Sequence, residues 1–303
     1  MTQARPNVAL RLLDLLEIKQ IEENLYQGGN ENRHGMRLFG GQVMAQASNA
    51  AYRTVEGLHM HSLHGYFLRP GDAQLPVLYE VERVRDGRTF TTRRVVAIQR
   101  GKAIFNMDAS FQYDEIGLEH ASLMPNVPLP GELQDDIEVA RALGGPKADP
   151  RMSPMATVER PFHMRSVFEI GSAAWAENRT WSPTWIKFKE PDALLGQDNG
   201  RYENPQALAR CLLTYASDMG LVSTASMPHQ RDEVRSKFQM ASLDHAIWVH
   251  RSVPIDQWLL FHKRTSTAQG SRGMVHADFF SEQGALIASV TQEGLMRLPR
   301  AED

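Results

Sequence analysis

At 303 residues, with 42% hydrophobic residues and a formal charge of −3, the chain is long enough for two domains of ordinary size and has the composition of a soluble globular protein. No apolar run approaches the roughly 18 residues that a membrane span needs, and the small negative charge gives no electrostatic case for nucleic acid or an anionic membrane as a partner. The single cysteine, Cys211, excludes an intramolecular disulfide and a multi-cysteine metal site.

The opening stretch, MTQARPNVALRLLDLLEIKQIEENL, lacks the basic region and small-residue cleavage site of a signal peptide, and Asp14, Glu17, Glu22 and Glu23 interrupt it. It is expected to form an amphipathic helix. The final LPRAED carries no Ser-Lys-Leu peroxisomal address, so a cytoplasmic location is expected. Next, GGQVMAQASNAAYRTV (40–55) reads as a helix of small residues, able to lie close against a sheet. Residues 73–112 then read as three consecutive strands, with turns at Asp86-Gly87 and Arg100-Gly101-Lys102. The segment 114–160 is rich in Pro, Gly and acidic residues and is expected to be a linker with one short helix at 131–143. LARCLLTYASDMG (208–220) is an amphipathic helix running into Gly220, with Leu208, Leu212, Tyr215 and Met219 as its apolar stripe. Residues 255–294 read again as three strands, with turns near Gln269-Gly270 and Gln283-Gly284.

The second half repeats the plan of the first. An offset of 181 places His64 on His245, Leu78 on Leu259 and Ser110 on Thr291, and an offset of 169 aligns Ala47-Ser48-Asn49 with Ala216-Ser217-Asp218. The difference corresponds to a 12-residue insertion, assigned to 223–237. The expected fold is therefore α+β, with each unit an antiparallel sheet wrapped around one long helix. The expected domains are 1–113 and 161–303, joined by 114–160.

One residue is out of place in such a plan. Asp218 lies at the negative end of its helix dipole, where a carboxylate is disfavoured, and its counterpart in the repeat is the neutral Asn49. The fold itself requires no charge there.

The segments RLFGGQVMAQA (37–47), HSLHGYFLRPGD (61–72), VERVRDGRTFTTRRVVAIQRGKAIF (81–105), ASFQ (109–112), YASDM (215–219), SLDHAIWVHR (242–251) and VTQEGLMR (290–297) resemble, in order, the acyl-CoA thioesterase II family. The resemblance implies two tandem hotdog units that hydrolyse acyl-CoA to free acid and coenzyme A. It implies that an Asp on the second unit's helix, a hydroxyl residue on the next strand and a Gln on the last strand hold the attacking water. Matched motif by motif, these are Asp218, Ser242 and Gln292; many members carry Thr at the position of Ser242. The resemblance also implies a homo-oligomer, dimer or tetramer, of double-hotdog chains.

From the chemistry upward, a carboxylate that accepts a proton from water makes a better nucleophile toward a thioester carbon. The apolar stripe and the helix terminus should both raise the pKa of Asp218. No metal or organic cofactor is needed. In the repeat Asp218, Ser242 and Gln292 fall on Asn49, His61 and Phe111, so one competent site per chain is expected, in the C-terminal unit. Gly41 and Gln42 at the first long helix's start, together with His61 and Arg69, are further candidates for contacting the substrate.

Rival constellations are weaker. There is no G-x-S-x-G nucleophile elbow. Cys211 lies mid-helix in an apolar run and reads as structural. His59 and His61 share a strand face, but no carboxylate stands at ligand spacing, so no metal site is expected. Two other functions stay open: a hotdog hydratase or dehydratase acting on enoyl-CoA, with His245 beside Asp244 as its only candidate pair, and a non-catalytic acyl-CoA-binding module.

Overall fold

The computed structural model describes residues 7–31, 37–144, 158–170, 172–178, 180–195, 204–229 and 238–298. The first helix, α1 (Val8–Leu16), is capped by Asn7, whose side chain accepts from the Ala9 amide at 2.7 Å. It is shorter than the sequence predicts. Its apolar periodicity ends at Leu16, and the acidic residues beyond enter a hairpin, β1 (Lys19–Glu22) and β2 (Leu25–Gly28), that turns at Asn24 with φ of 60°. There follow α2 (Gly40–Tyr52), β3 (His59–Phe67), β4 (Val77–Asp86), β5 (Phe90–Gln99) and β6 (Lys102–Gln112).

Between the halves, the predicted helix is split. A 3-10 turn at Pro130–Glu132 precedes α3 (Asp136–Ala142), because the Asp135 side chain caps the Ile137 amide and starts the helix afresh. The second half holds β7 (Phe162–Ser166), α4 (Ala173–Glu177), β8 (Trp181–Phe188), α5 (Asp192–Leu195), α6 (Pro205–Ser217), α7 (Leu221–Ala225), β9 (Gln239–Ser242), β10 (Asp244–Val249), β11 (Leu259–Gln269), β12 (Arg272–Ser281) and β13 (Leu286–Arg297). Of the predicted insertion, 223–229 completes α7 and a 3-10 turn, and 230–237 lies outside the described residues.

All strands pair antiparallel in one sheet of order β1-β2-β4-β5-β6-β3-β10-β13-β12-β11-β8-β7, with β9 alongside β13. The halves meet edge to edge, β3 on β10, with Asp244 opposite Tyr66 and Trp248 opposite Ser62. Tight two-residue loops, Arg100-Gly101 and Gly270-Ser271, close corresponding hairpins with both central residues at positive φ, as type I′ turns demand. Of the two long helices, α6 spans the join. α2 packs on β4, β5 and β6, α6 on β3 and β10, and the two helices pack on each other. Their approach is close enough that a Cβ on Gly41 would lie 2.5 Å from the Tyr215 carbonyl oxygen. A single hydrophobic core therefore runs through both halves, from Leu12 and Met44 to Leu212 and Val290. Trp185, Leu260 and Phe280 form a smaller cluster under the linker, where Trp185 Nε1 donates to the Pro128 carbonyl at 2.8 Å. No helix among the described residues is long and apolar enough to cross a membrane.

Candidate active site

Asn204 starts α6 by accepting from the Ala207 amide, and Asp218 ends it as the C-cap, two residues before Gly220 turns the chain at φ of 72°. That end of α6 abuts the beginning of α2. The Gly41 N–H donates to Asp218 Oδ2 at 2.8 Å, so the carboxylate disfavoured by its own helix is met by the positive end of a helix from the other half. Gly40 is equally committed to the approach, since a Cβ there would lie 2.8 Å from Asp218 Oδ2.

The second half supplies the other partners. Gln292, on β13 and wholly buried, donates from Nε2 to Asp218 Oδ1 at 2.8 Å. Ser242, at the end of β9 and opposite Gly294 of β13, donates to the same oxygen at 3.4 Å. Three residues from three elements, far apart in the chain, thus converge on one carboxylate. Burial pushes Asp218 up to about 6, while the bonds from Gln292, Gly41 and Ser242 pull the other way. The direction is the one expected from the sequence. The helix-terminus part of that reasoning is reversed, because α2 presents its N-terminal amide to the same group.

A cavity of about 340 Å³ is lined in part by residues next to this carboxylate in the chain, though not by Asp218, Ser242 or Gln292 themselves. Its rim includes Phe39, directly before α2, and Met219 and Gly220, directly after Asp218. Its size falls in the range of small-molecule pockets. Lys263 also lines it. Its ammonium donates to Thr184 Oγ1 at 3.2 Å and lies 4.4 Å from the Phe261 ring centre, and burial lowers its pKa to about 7. Nothing in the sequence pattern marked this lysine, because it occupies an ordinary place in an alternating strand.

The other candidates lie elsewhere. Gln42 faces away from Asp218, with Nε2 donating to Asn30 Oδ1 at 2.9 Å and toward the Gly29 carbonyl at 3.4 Å. His61 Nε2 is 2.8 Å from Ser110 Oγ, and its ring meets Phe90. Arg69 donates to the Ala103 carbonyl at 2.7 Å. Asp244 and His245 do not form a pair. As neighbours on β10 they point to opposite faces, Asp244 accepting from the Glu293 amide at 2.6 Å and His245 turning inward, where burial pushes it down to about 3. Among the described residues, no group of three or more His, Cys, Asp or Glu is placed to hold a metal ion.

Comparisons with known proteins identify the family. A model of the acyl-CoA thioesterase N-terminal domain matches residues 30–112, and one of acyl-CoA thioesterase matches residues 197–295. The chain is 35% identical to acyl-CoA thioesterase 2 of Haemophilus influenzae over 94% of its own length and 96% of that protein. It belongs to the acyl-CoA thioesterase II family.

Acyl-coenzyme A thioesterase 8 of Homo sapiens is likewise 35% identical, with 94% of this chain and 88% of that one covered. Among solved structures, the acyl-CoA thioesterase II TesB2 of Mycobacterium marinum is 36% identical over 95% of this chain and 98% of its own, with a TM-score of 0.75. The fold is the α+β double hotdog of this family. Within that frame the halves have diverged at the site. Asn49, the counterpart of Asp218, donates to the Leu16 carbonyl under α1, and Phe111, the counterpart of Gln292, is fully buried in the core.

Proposed function

We propose that this acyl-CoA thioesterase hydrolyses its substrate by direct attack of a water held by Asp218, Ser242 and Gln292. Asp218 accepts one proton as the water oxygen bonds to the thioester carbon. Collapse of the tetrahedral intermediate breaks the C–S bond, and the coenzyme A thiolate leaves with the proton returned by Asp218. The acyl group occupies the cavity lined by Phe39, Tyr215 and Met219. The observation that carries this reading is the buried carboxylate itself, held by both halves and poised near pH 6, where an acid can serve as a base at neutral pH. One site per chain follows, because the first unit offers Asn49 and Phe111 instead. The N-terminal unit, 1–113, supplies the Gly41 amide to the catalytic unit, 161–303.

The test is thiol release from a panel of acyl-CoAs by the wild type, Asp218→Asn and Gln292→Ala. Both variants are expected to lose about 10²–10⁴-fold in kcat while remaining folded. Full activity in Asp218→Asn sinks the mechanism. Acyl-CoA binding without turnover in the wild type favours a binding module instead, and hydration of enoyl-CoA a hydratase. The hydratase needs a His–carboxylate pair, which the opposed directions of His245 and Asp244 do not provide.

A further inference from the structure

Behind Gln292 lies a chain of hydrogen bonds that the hydrolytic trio does not use. Ser217 Oγ donates to the Thr214 carbonyl at 2.8 Å and stands 2.9 Å from His245 Nε2. His245 Nδ1 stands 3.0 Å from Gln292 Nε2. A backbone carbonyl only accepts, and this fixes the direction of every bond in the series. Ser217 gives its one proton to Thr214, so it must accept from His245 Nε2–H. The ring is therefore the neutral Nε2–H tautomer, and its Nδ1 accepts one N–H of Gln292. The other N–H goes to Asp218. Turning the amide over would set Gln292 Oε1 against two acceptors, the Asp218 carboxylate and His245 Nδ1.

The consequence is at the opposite end of the amide. Gln292 Oε1 is buried and accepts from no donor among the described residues, an arrangement that is costly unless a ligand satisfies it. We propose that His245, backed by Ser217, is a positioning residue that holds the Gln292 amide in one orientation, so that Oε1 stays available to accept the second hydrogen of the attacking water. This rests on the hydrolytic reading above. His245 touches neither substrate nor water; it acts through Gln292. It also explains why a histidine that cannot hold a proton at neutral pH occupies the heart of the site. Its task requires a fixed acceptor nitrogen.

The test is a double-mutant cycle on kcat. His245→Leu should lower kcat by about 10- to 100-fold, the scale of a misplaced catalytic group, with KM within about twofold. His245→Asn, which keeps an acceptor near the Nδ1 position, should recover most of that loss. In the Gln292→Ala background, already slowed, His245→Leu should change kcat by less than about twofold, since the two residues act as one unit. Ser217→Ala, which removes the acceptor that sets the tautomer, reports the same coupling if His245→Leu does not fold. Nitrogen NMR of the wild-type ring should show the neutral Nε2–H form. The inference is overturned by an equal loss in both backgrounds, by wild-type kcat in His245→Leu, or by an Nδ1–H ring. Wild-type turnover in Gln292→Ala alone would instead overturn the water mechanism on which it rests.

Discussion

Replacing Asp218 by Asn tests the electrostatics of the site through stability, independently of turnover. Burial raises the folded-state pKa of Asp218 from 3.8 to about 6, so between those values the native state binds more protons than the unfolded chain. Stability contributed by this group is then greatest in acid and declines as pH rises through that window. At about 1.36 kcal/mol per pKa unit, the shift makes the ionised carboxylate cost about 3 kcal/mol in the fold at pH 8. Asn carries no such penalty, but one of its ends must face a mismatched partner, because Gly41 and Gln292 both donate. A buried mispaired group costs about 1–3 kcal/mol, so the variant is expected to be between neutral and about 2 kcal/mol more stable at pH 8. The mispairing does not depend on pH and cancels from the comparison across pH. Urea unfolding of both proteins at pH 4 and pH 8 should therefore show their stability difference shifting by about 2–3 kcal/mol in favour of Asn at the higher pH. A difference that is flat with pH, or that moves the other way, would refute the assignment of Asp218 as a desolvated, raised carboxylate. In the wild type, kcat/KM should fall as pH drops through about 6.

Other changes probe the surrounding packing. Gly41→Ala inserts a Cβ 2.5 Å from the Tyr215 carbonyl and 2.6 Å from the Phe39 ring. The expected outcome is a loss of about 1–3 kcal/mol in urea unfolding together with lowered kcat, as α2 withdraws its amide from Asp218; an unchanged kcat would show that this amide is dispensable. Lys263→Met should raise the denaturation midpoint at pH 6. Burial lowers the folded pKa of Lys263 from 10.5 to about 7, so the penalty on its charge is complete below pH 7 and fades toward 10.5. A gain that grows with pH would contradict this. Cys211 is buried and its thiol pushed up to about 12, so a maleimide should label it only as fast as the native protein unfolds; rapid native labelling would place it in an accessible pocket.

The repeat, the helices and the strand-turn-strand blocks were legible because each rests on local periodicity and turn chemistry. Arg100-Gly101 and Gly270-Ser271 adopt the positive-φ turns that the glycines allow. The helix expected at 131–143 is interrupted because its start is set by a single capping contact, Asp135 on the Ile137 amide, which leaves no mark in the periodicity. α1 stops at Leu16, short of the expected span, because Lys19–Glu22 instead pairs with Leu25–Gly28 as a hairpin. Asp218, Ser242 and Gln292 were legible as candidates through the family motifs and, for Asp218, through its replacement by Asn49 in the repeat.

Their grouping was not legible from spacing alone, and neither was the role of Gly41. A backbone amide leaves no mark on side-chain pattern; it becomes a partner for Asp218 only because two helices from different halves meet end to end. His245 shows the same division. Its sequence neighbour Asp244 invites a pairing that the strand geometry forbids, since adjacent residues on β10 face opposite ways. Sequence by itself determined the two-unit plan, the two long helices, the strand-turn-strand blocks and the unusual acid at the end of α6. Tertiary structure decided what that acid touches, because burial, which raises its pKa, and donors drawn from both halves exist only once β3 joins β10 and α2 closes on α6.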